Sequence, residues 1–245
     1  WTADADTVNE GDATIKASSY DIDVSLAGGT SGWTLTNDGN NLDVSLIGSM
    51  NDDTLIGGSG FDEISGGDGS DLVEGKDGDD LIYGGLGDDT IMGGDGSDRA
   101  VFAGSVADYS FGVSGSYLQV NGPDGGDTLE GIETLVFDDT EISVALAGGQ
   151  FTLVSGAGGD TITVADGQPG FRLEGSGGDD FLRVGDMPLS SPVAAQWATG
   201  ATASSQYTTS SWSAMQATRE PNTFYYGDIP TAWTTQSTNT GPEWL

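Results

Sequence analysis

The 245-residue chain contains no cysteine and no histidine, and only 6 lysines and arginines stand against 39 aspartates and glutamates. Without cysteine there are no disulfides, thiolate metal sites or thiol nucleophiles. Without histidine the commonest general base and the commonest transition-metal ligand are gone. The formal net charge of -33 makes nucleic acid and anionic membranes poor partners, and it opposes compaction unless cations sit among the carboxylates. No apolar run approaches the roughly 20 residues that span a bilayer, and no charged-then-apolar leader opens the chain. Because it starts "WTADADTVNE" rather than with methionine, it reads as a processed product or a fragment of something longer. Hydrophobic residues make up only 36% of the chain, against 41 glycines, a poor supply for one large core that favours a layered, repetitive architecture.

What remains is oxygen chemistry, and hard cations such as calcium take carboxylate and carbonyl oxygens. From Gly48 a nonapeptide period runs through "GSMNDDTLI GGSGFDEIS GGDGSDLVE GKDGDDLIY GGLGDDTIM GGDGSDRAV". Its units start at Gly48, Gly57, Gly66, Gly75, Gly84 and Gly93. Position 6 is Asp53, Asp62, Asp71, Asp80, Asp89 and Asp98, and position 8 is Leu55, Ile64, Val73, Ile82, Ile91 and Ala100. Glycines at positions 1, 2 and 4 allow a tight turn with inward carbonyls. The end of each unit alternates as a strand that buries only position 8, too little to fold alone. Two units per coil return the chain above itself, at the strand spacing of about 4.8 Å. Asp62 then lies over Asp80 and Asp71 over Asp89, and such pairs repel unless a divalent ion lies between them. On this reading the aspartate is a metal ligand, the glycines shape the cage and the aliphatic residue forms the core. A flexible acidic linker would not hold an apolar residue at every ninth position.

These units resemble the RTX, or haemolysin-type, calcium-binding repeat, G-G-x-G-x-D-x-U-x. The resemblance implies an all-β fold, a right-handed parallel β-roll with capping β segments. It also implies one calcium between each repeat and the next but one, held by both position-6 aspartates, carbonyls of positions 2 and 4 from one turn and carbonyls of positions 1 and 3 from the other. Carried over, the pairs are Asp53 with Asp71, Asp62 with Asp80, Asp71 with Asp89, and Asp80 with Asp98, which gives about four ions in this run. The turn glycines placed at these sites are Gly57, Gly58, Gly60, Gly66, Gly67, Gly69, Gly75, Gly78, Gly84, Gly85, Gly87, Gly93, Gly94 and Gly96.

Several residues depart from the pattern. Ser49 and Lys76 replace glycine at position 2, and Asn51 replaces it at position 4. Asn51 is expected to keep its turn by adopting left-handed angles. Lys76 is expected to weaken its site unless its ammonium swings into solvent, and Arg99 with Ala100 to fray the last strand.

Outside the block, "DIDVSLAGG", "NLDVSLIGS" and "EISVALAGG" are versions of one strand-plus-turn unit. Residues 1–47 therefore read as a cap of irregular coils on the roll of 48–101. Residues 102–140 read as a capping β segment, with Asp124, Asp127, Glu130 and Glu133 solvated or structural rather than catalytic. "SGAGGDTIT" and "EGSGGDDFL" place Asp160 and Asp179 at position 6, about one coil apart, and predict a second short roll over 141–187 with at least one calcium. After a Pro- and Ser-containing linker, the rest of 188–245 resembles the start of a galactose-binding-like β-sandwich of the kind attached to pappalysin-like extracellular proteins. The words that carry it are "ATASSQY", "SAMQAT", "TAW" and "EWL". Only part of such a sandwich is present. Trp212, Tyr225, Tyr226 and Trp233 are candidates for glycan or surface-polymer contact, although buried packing is the commoner fate of such aromatics.

Two function classes follow. The first is a calcium-dependent structural or adhesive module of a secreted or cell-surface bacterial protein, non-catalytic, with self-assembly or a larger parent chain among its expected contexts. The second is the non-catalytic C-terminal region of a secreted enzyme. The chain has no HExxH and no GxSxG elbow, and the acids that keep a register already have a calcium role. An ice-binding face needs a regular threonine array, whereas position 7 reads Thr54, Glu63, Leu72, Leu81, Thr90 and Arg99.

Overall fold

A computed structural model describes residues 1–165, 168 and 170–184. The chain divides into two compact units, Trp1–Val144 and Ala145–Leu245. Apart from a short 3-10 turn at Val106–Asp108, every regular element among the described residues is a β-strand, which establishes the all-β class. The sandwich-like tail and its aromatic candidates lie outside the described residues.

In the first unit each repeat supplies one strand, and alternate repeats go to opposite sheets, as two repeats per coil require. One sheet runs in parallel through Ile22–Asp23, Ser45–Ile47, Glu63–Asp68, Leu81–Leu86, Arg99–Val101 and Thr134–Val136. The other runs through Ala13–Lys16, Trp33–Thr36, Thr54–Ser59, Leu72–Asp77, Thr90–Asp95 and Gly125–Glu130. Within the block Ile64 pairs with Ile82 and Val73 with Ile91, so each register steps by two repeats. Coils before the repeats are longer, since Thr34 pairs with Thr54 and Ile22 with Leu46. The solenoid therefore continues through residues that lack the nonapeptide.

This register stacks the inward residues into two aliphatic columns, because every second side chain of a strand faces the same way. One column is Leu35, Leu55, Val73, Ile91 and Leu129; the other is Ile22, Leu46, Ile64, Ile82, Ala100 and Leu135. All are 0–2% exposed. Each Leu or Ile so buried contributes about 2 kcal/mol from the apolar area it removes from water. The Arg99–Val101 strand is not frayed. It pairs on both sides, with Leu81–Leu86 and Thr134–Val136, and Arg99 meets Glu141 at 2.6 Å. A later strand covers it, which the repeat pattern alone does not show.

Between Arg99–Val101 and Gly125–Glu130 the chain inserts an antiparallel excursion through Ser110–Ser114 and Tyr117–Gly122. Its aromatic residues end the core. The Phe137 ring stacks on Phe102 at 5.3 Å, lies 4.9 Å from Tyr109 and meets Phe111 edge-on at 6.4 Å. Substituting Phe137→Ala should remove the centre of this cluster and lower stability by about 3–5 kcal/mol, measured by urea unfolding in saturating calcium. A loss under about 1 kcal/mol would show that the aromatic end is not part of the cooperative core.

Candidate metal centre

Each repeat turn alternates the direction of its peptide groups. Gly85 and Gly87, at positions 2 and 4, have φ of 116° and 129°, a region closed to residues with a Cβ. A Cβ at either would strike the Gly67 or Gly69 carbonyl oxygen of the coil before it. The position-2 and position-4 carbonyls thus point toward the next coil. At position 1 the direction reverses: a Cβ on Gly75 would strike Asp80 Oδ2 of its own repeat and lie 2.7 Å from the Gly93 carbonyl oxygen of the following coil. Carbonyls from two coils therefore converge on the line of position-6 carboxylates.

The carboxylates form two columns, each held by one repeated hydrogen bond. The amides of Asp53, Asp71 and Asp89 donate to Oδ1 of Asp71, Asp89 and Asp127 at 2.6, 2.8 and 2.9 Å. In the other column Asp62 donates to Asp80 and Asp80 to Asp98, at 2.8 and 2.9 Å, and Asp98 donates to Glu133 Oε2 at 2.9 Å. The columns begin at Trp33 and Val44, whose amides donate to Asp53 and Asp62. All the aspartates are 0–3% exposed. The second carboxylate oxygen of Asp62, Asp71, Asp80, Asp89 and Asp98 is buried without a hydrogen-bond partner.

Burying an unsatisfied carboxylate oxygen is costly, and the electrostatics reflect that cost. Burial, before any neighbouring charge, raises Asp71 and Asp80 to about 7 and Asp98 to about 6. Asp127 is likewise raised to about 7 by burial. The neighbouring carboxylates of the same column add to the shift of Asp71 and Asp80. Among the described residues no group of three or more acidic side chains is close enough to hold a metal unaided, so main-chain oxygens must complete any site. Orphaned carboxylate oxygens beside convergent carbonyls fit a hard cation such as calcium. Its positive charge would offset the repulsion within each column.

The structure stacks Asp53, Asp62, Asp71, Asp80, Asp89 and Asp98 as the repeat requires. Asp179 is different. Thr161 pairs with Phe181 and Phe151 with Phe171, a coil one residue longer than the spacing of Asp160 and Asp179. The buried partner of Asp160 is therefore Asp180, whose Oδ1 accepts the Asp160 amide at 3.1 Å. Asp179 is exposed. The register fixes this: Thr161 pairs with Phe181, so Gly175 takes position 1 of the Asp180 turn, where a Cβ would strike Asp180 Oδ2, and Glu174 belongs to the strand before it. In this coil the Ser176 hydroxyl also lies 2.7 Å from the Ser155 carbonyl and beside the Gly156 carbonyl, so its one proton is shared between a position-1 and a position-2 carbonyl.

Two further residues join the columns, Asp127 and Glu133. "GPDGGDTLE" from Gly122 carries the signal, with glycine at positions 1 and 4, Asp127 at 6 and Leu129 at 8. Thr134 pairs with Arg99, which sets Glu133 opposite Asp98, although Glu133 itself is exposed. Neither Ser49 nor Asn51 adopts positive φ; the Ser49 hydroxyl instead accepts the Asn51 amide at 3.2 Å. Lys76 does adopt it, at 87°, and its ammonium turns outward to pair with Glu74.

A family model described as the RTX calcium-binding nonapeptide repeat (4 copies) matches residues 47–80 and 65–100. No curated protein matches the chain. Among solved structures, that of the extracellular lipase LipA from Serratia marcescens is similar at 17% identity, over 62% of this chain and 30% of that chain, with a TM-score of 0.25. A likeness of that size carries no weight for fold or activity.

Replacing Lys76 by glycine should relieve about 1 kcal/mol of left-handed strain and move the midpoint of calcium-induced folding to lower calcium; a midpoint at higher calcium would contradict the strain. The carboxylates also predict a pH dependence in chelator. Their folded values lie above the ordinary 3.8, so the folded form binds more protons. Their contribution to stability is complete below about pH 4 and lost as pH rises through about 6 to 7. Circular dichroism in chelator should show more β-structure at about pH 5 than at about pH 8, and equal spectra would count against buried, unneutralised columns.

Proposed function

We propose, from the premise that residues 47–100 are RTX calcium-binding nonapeptide repeats, that this chain is a non-catalytic, calcium-gated structural module of an extracellular protein with an adhesive or surface role. The observation that carries the reading is the stack of buried carboxylates whose second oxygens lack partners. Such a column is unfavourable alone and becomes favourable when cations fill it, so calcium binding and folding are one equilibrium. At low intracellular calcium the repeats stay open. At extracellular millimolar calcium they stack, since sites of this kind bind at about 0.1–1 mM.

Within the matched repeats the pairs Asp53/Asp71, Asp62/Asp80, Asp71/Asp89 and Asp80/Asp98 would hold about four ions, with position-1, -2 and -4 carbonyls completing each shell. In the second unit Asp160 and Asp180 would hold one more. No described helix is long and apolar enough to cross a membrane.

A calcium titration followed by far-UV circular dichroism, from chelator to about 10 mM, should give a cooperative rise of β signal. Magnesium should not replace calcium, because the flexible carbonyl-rich cage suits the larger ion. A spectrum already rich in β-structure in chelator at neutral pH and indifferent to calcium would overturn the reading.

A further inference from the structure

The nonapeptide block ends at Val101, but one carboxylate column continues. The chain leaves the solenoid for the antiparallel excursion and returns at Gly122, so Thr90 pairs with Thr128, well beyond the two-repeat step of the block. Asp127 takes the next place in the column. It is 2% exposed, and its Oδ1 accepts the Asp89 amide at 2.9 Å. Asp89 is also 2% exposed, and its Oδ2 is buried without a hydrogen-bond partner. The backbone around the pair repeats the turn geometry: Gly125 has φ of 146° and closes on the Gly87 carbonyl, while the Gly87 amide donates to the Asp124 carbonyl at 2.7 Å.

One feature separates this place from the others. In the turns stacked before it position 3 is exposed, as Leu86 and Asp68, whereas Asp124 is half-buried with Oδ1 lacking a hydrogen-bond partner. Its Oδ2 lies 2.7 Å from the buried Tyr109 hydroxyl, whose single proton it shares with the Ala103 carbonyl, also at 2.7 Å. A side chain on the excursion therefore fixes a carboxylate beside Asp89 and Asp127.

We propose that Asp89 and Asp127, completed by main-chain oxygens, hold a further divalent cation beyond the last pair of the matched repeats, with Asp124, fixed by Tyr109, adding negative charge from outside the ligand shell. Binding there clamps the antiparallel excursion onto the roll. The proposal rests on the calcium-gated reading of the repeats, and it requires in addition that a turn on the far side of the excursion completes a site.

Asp127→Asn tests it, because the asparagine oxygen can still accept the Asp89 amide. Calcium bound per chain, counted by native mass spectrometry at saturating calcium, should fall by one relative to the unsubstituted protein, with far-UV circular dichroism unchanged. An unchanged count overturns the proposal, whereas an unsubstituted chain that binds no calcium would sink the reading of the whole roll instead. Should Asp127→Asn fail to fold, crystals of the unsubstituted protein soaked in terbium(III) decide the matter: an anomalous peak between Asp89 and Asp127 is expected, and peaks at the repeat sites without one there overturn it. Tyr109→Phe should keep the count and weaken one site alone by about threefold to tenfold, the worth of one hydrogen bond. Equal weakening of every site, or none, would remove Asp124 from the proposal.

Discussion

Like-charge repulsion between carboxylates stacked one coil apart is the constraint on which the rest of the solenoid depends. At the strand spacing of about 4.8 Å and an effective dielectric near 20, neighbouring unit charges repel by about 3 kcal/mol. Two columns of aspartates buried to 0–3% exposure are therefore unfavourable as ionised groups in the absence of cations. The amide-to-carboxylate bonds that link each aspartate to the next satisfy one oxygen and leave the other open on Asp62, Asp71, Asp80, Asp89 and Asp98, while Asp53 Oδ2 accepts the Ser49 amide. Within the repeat block the open oxygen favours glycine at position 1, since a Cβ on Gly57, Gly66, Gly75, Gly84 or Gly93 would strike it.

The apolar core is correspondingly thin. Each coil adds two aliphatic side chains, one to each column, and none could hold a coil by itself. Stability is shared between neighbours, as in other stacked-repeat architectures, and the ends need separate treatment. At one end the Phe102, Tyr109, Phe111 and Phe137 cluster closes the core. At the other, turns are knitted by buried asparagines. Asn9 donates to the Gly32 carbonyl at 2.6 Å, and Asn37 accepts the Ser19 amide at 2.9 Å.

The repeat block was legible because a fixed period constrains every level at once. Asp71 and Val73 could be assigned to cage and core from spacing alone, and their register is as a coil of two repeats demands. Legibility failed where the period broke. Asp127 sits behind the antiparallel interruption of the coil, so its place in the column is a fact of strand pairing rather than of sequence distance. Asp179 and Asp180 are adjacent acids, and only the pairing of Thr161 with Phe181 separates them by setting Asp180 opposite Asp160. Asn51 lacks the left-handed angle expected of it, and its amide bonds the Ser49 hydroxyl, whereas Lys76, at position 2 of another turn, adopts that angle.

The columns start at Trp33 and Val44, where an indole and an isopropyl group stand at the position that every later repeat gives to a carboxylate. Coils before that point are built with side-chain amides and carry no charge that must be neutralised in the cage. The solenoid is thus polar along its axis, like a zipper with one sewn end. The buried carboxylates lie from Asp53 onward, while the first coils are held by neutral amide hydrogen bonds.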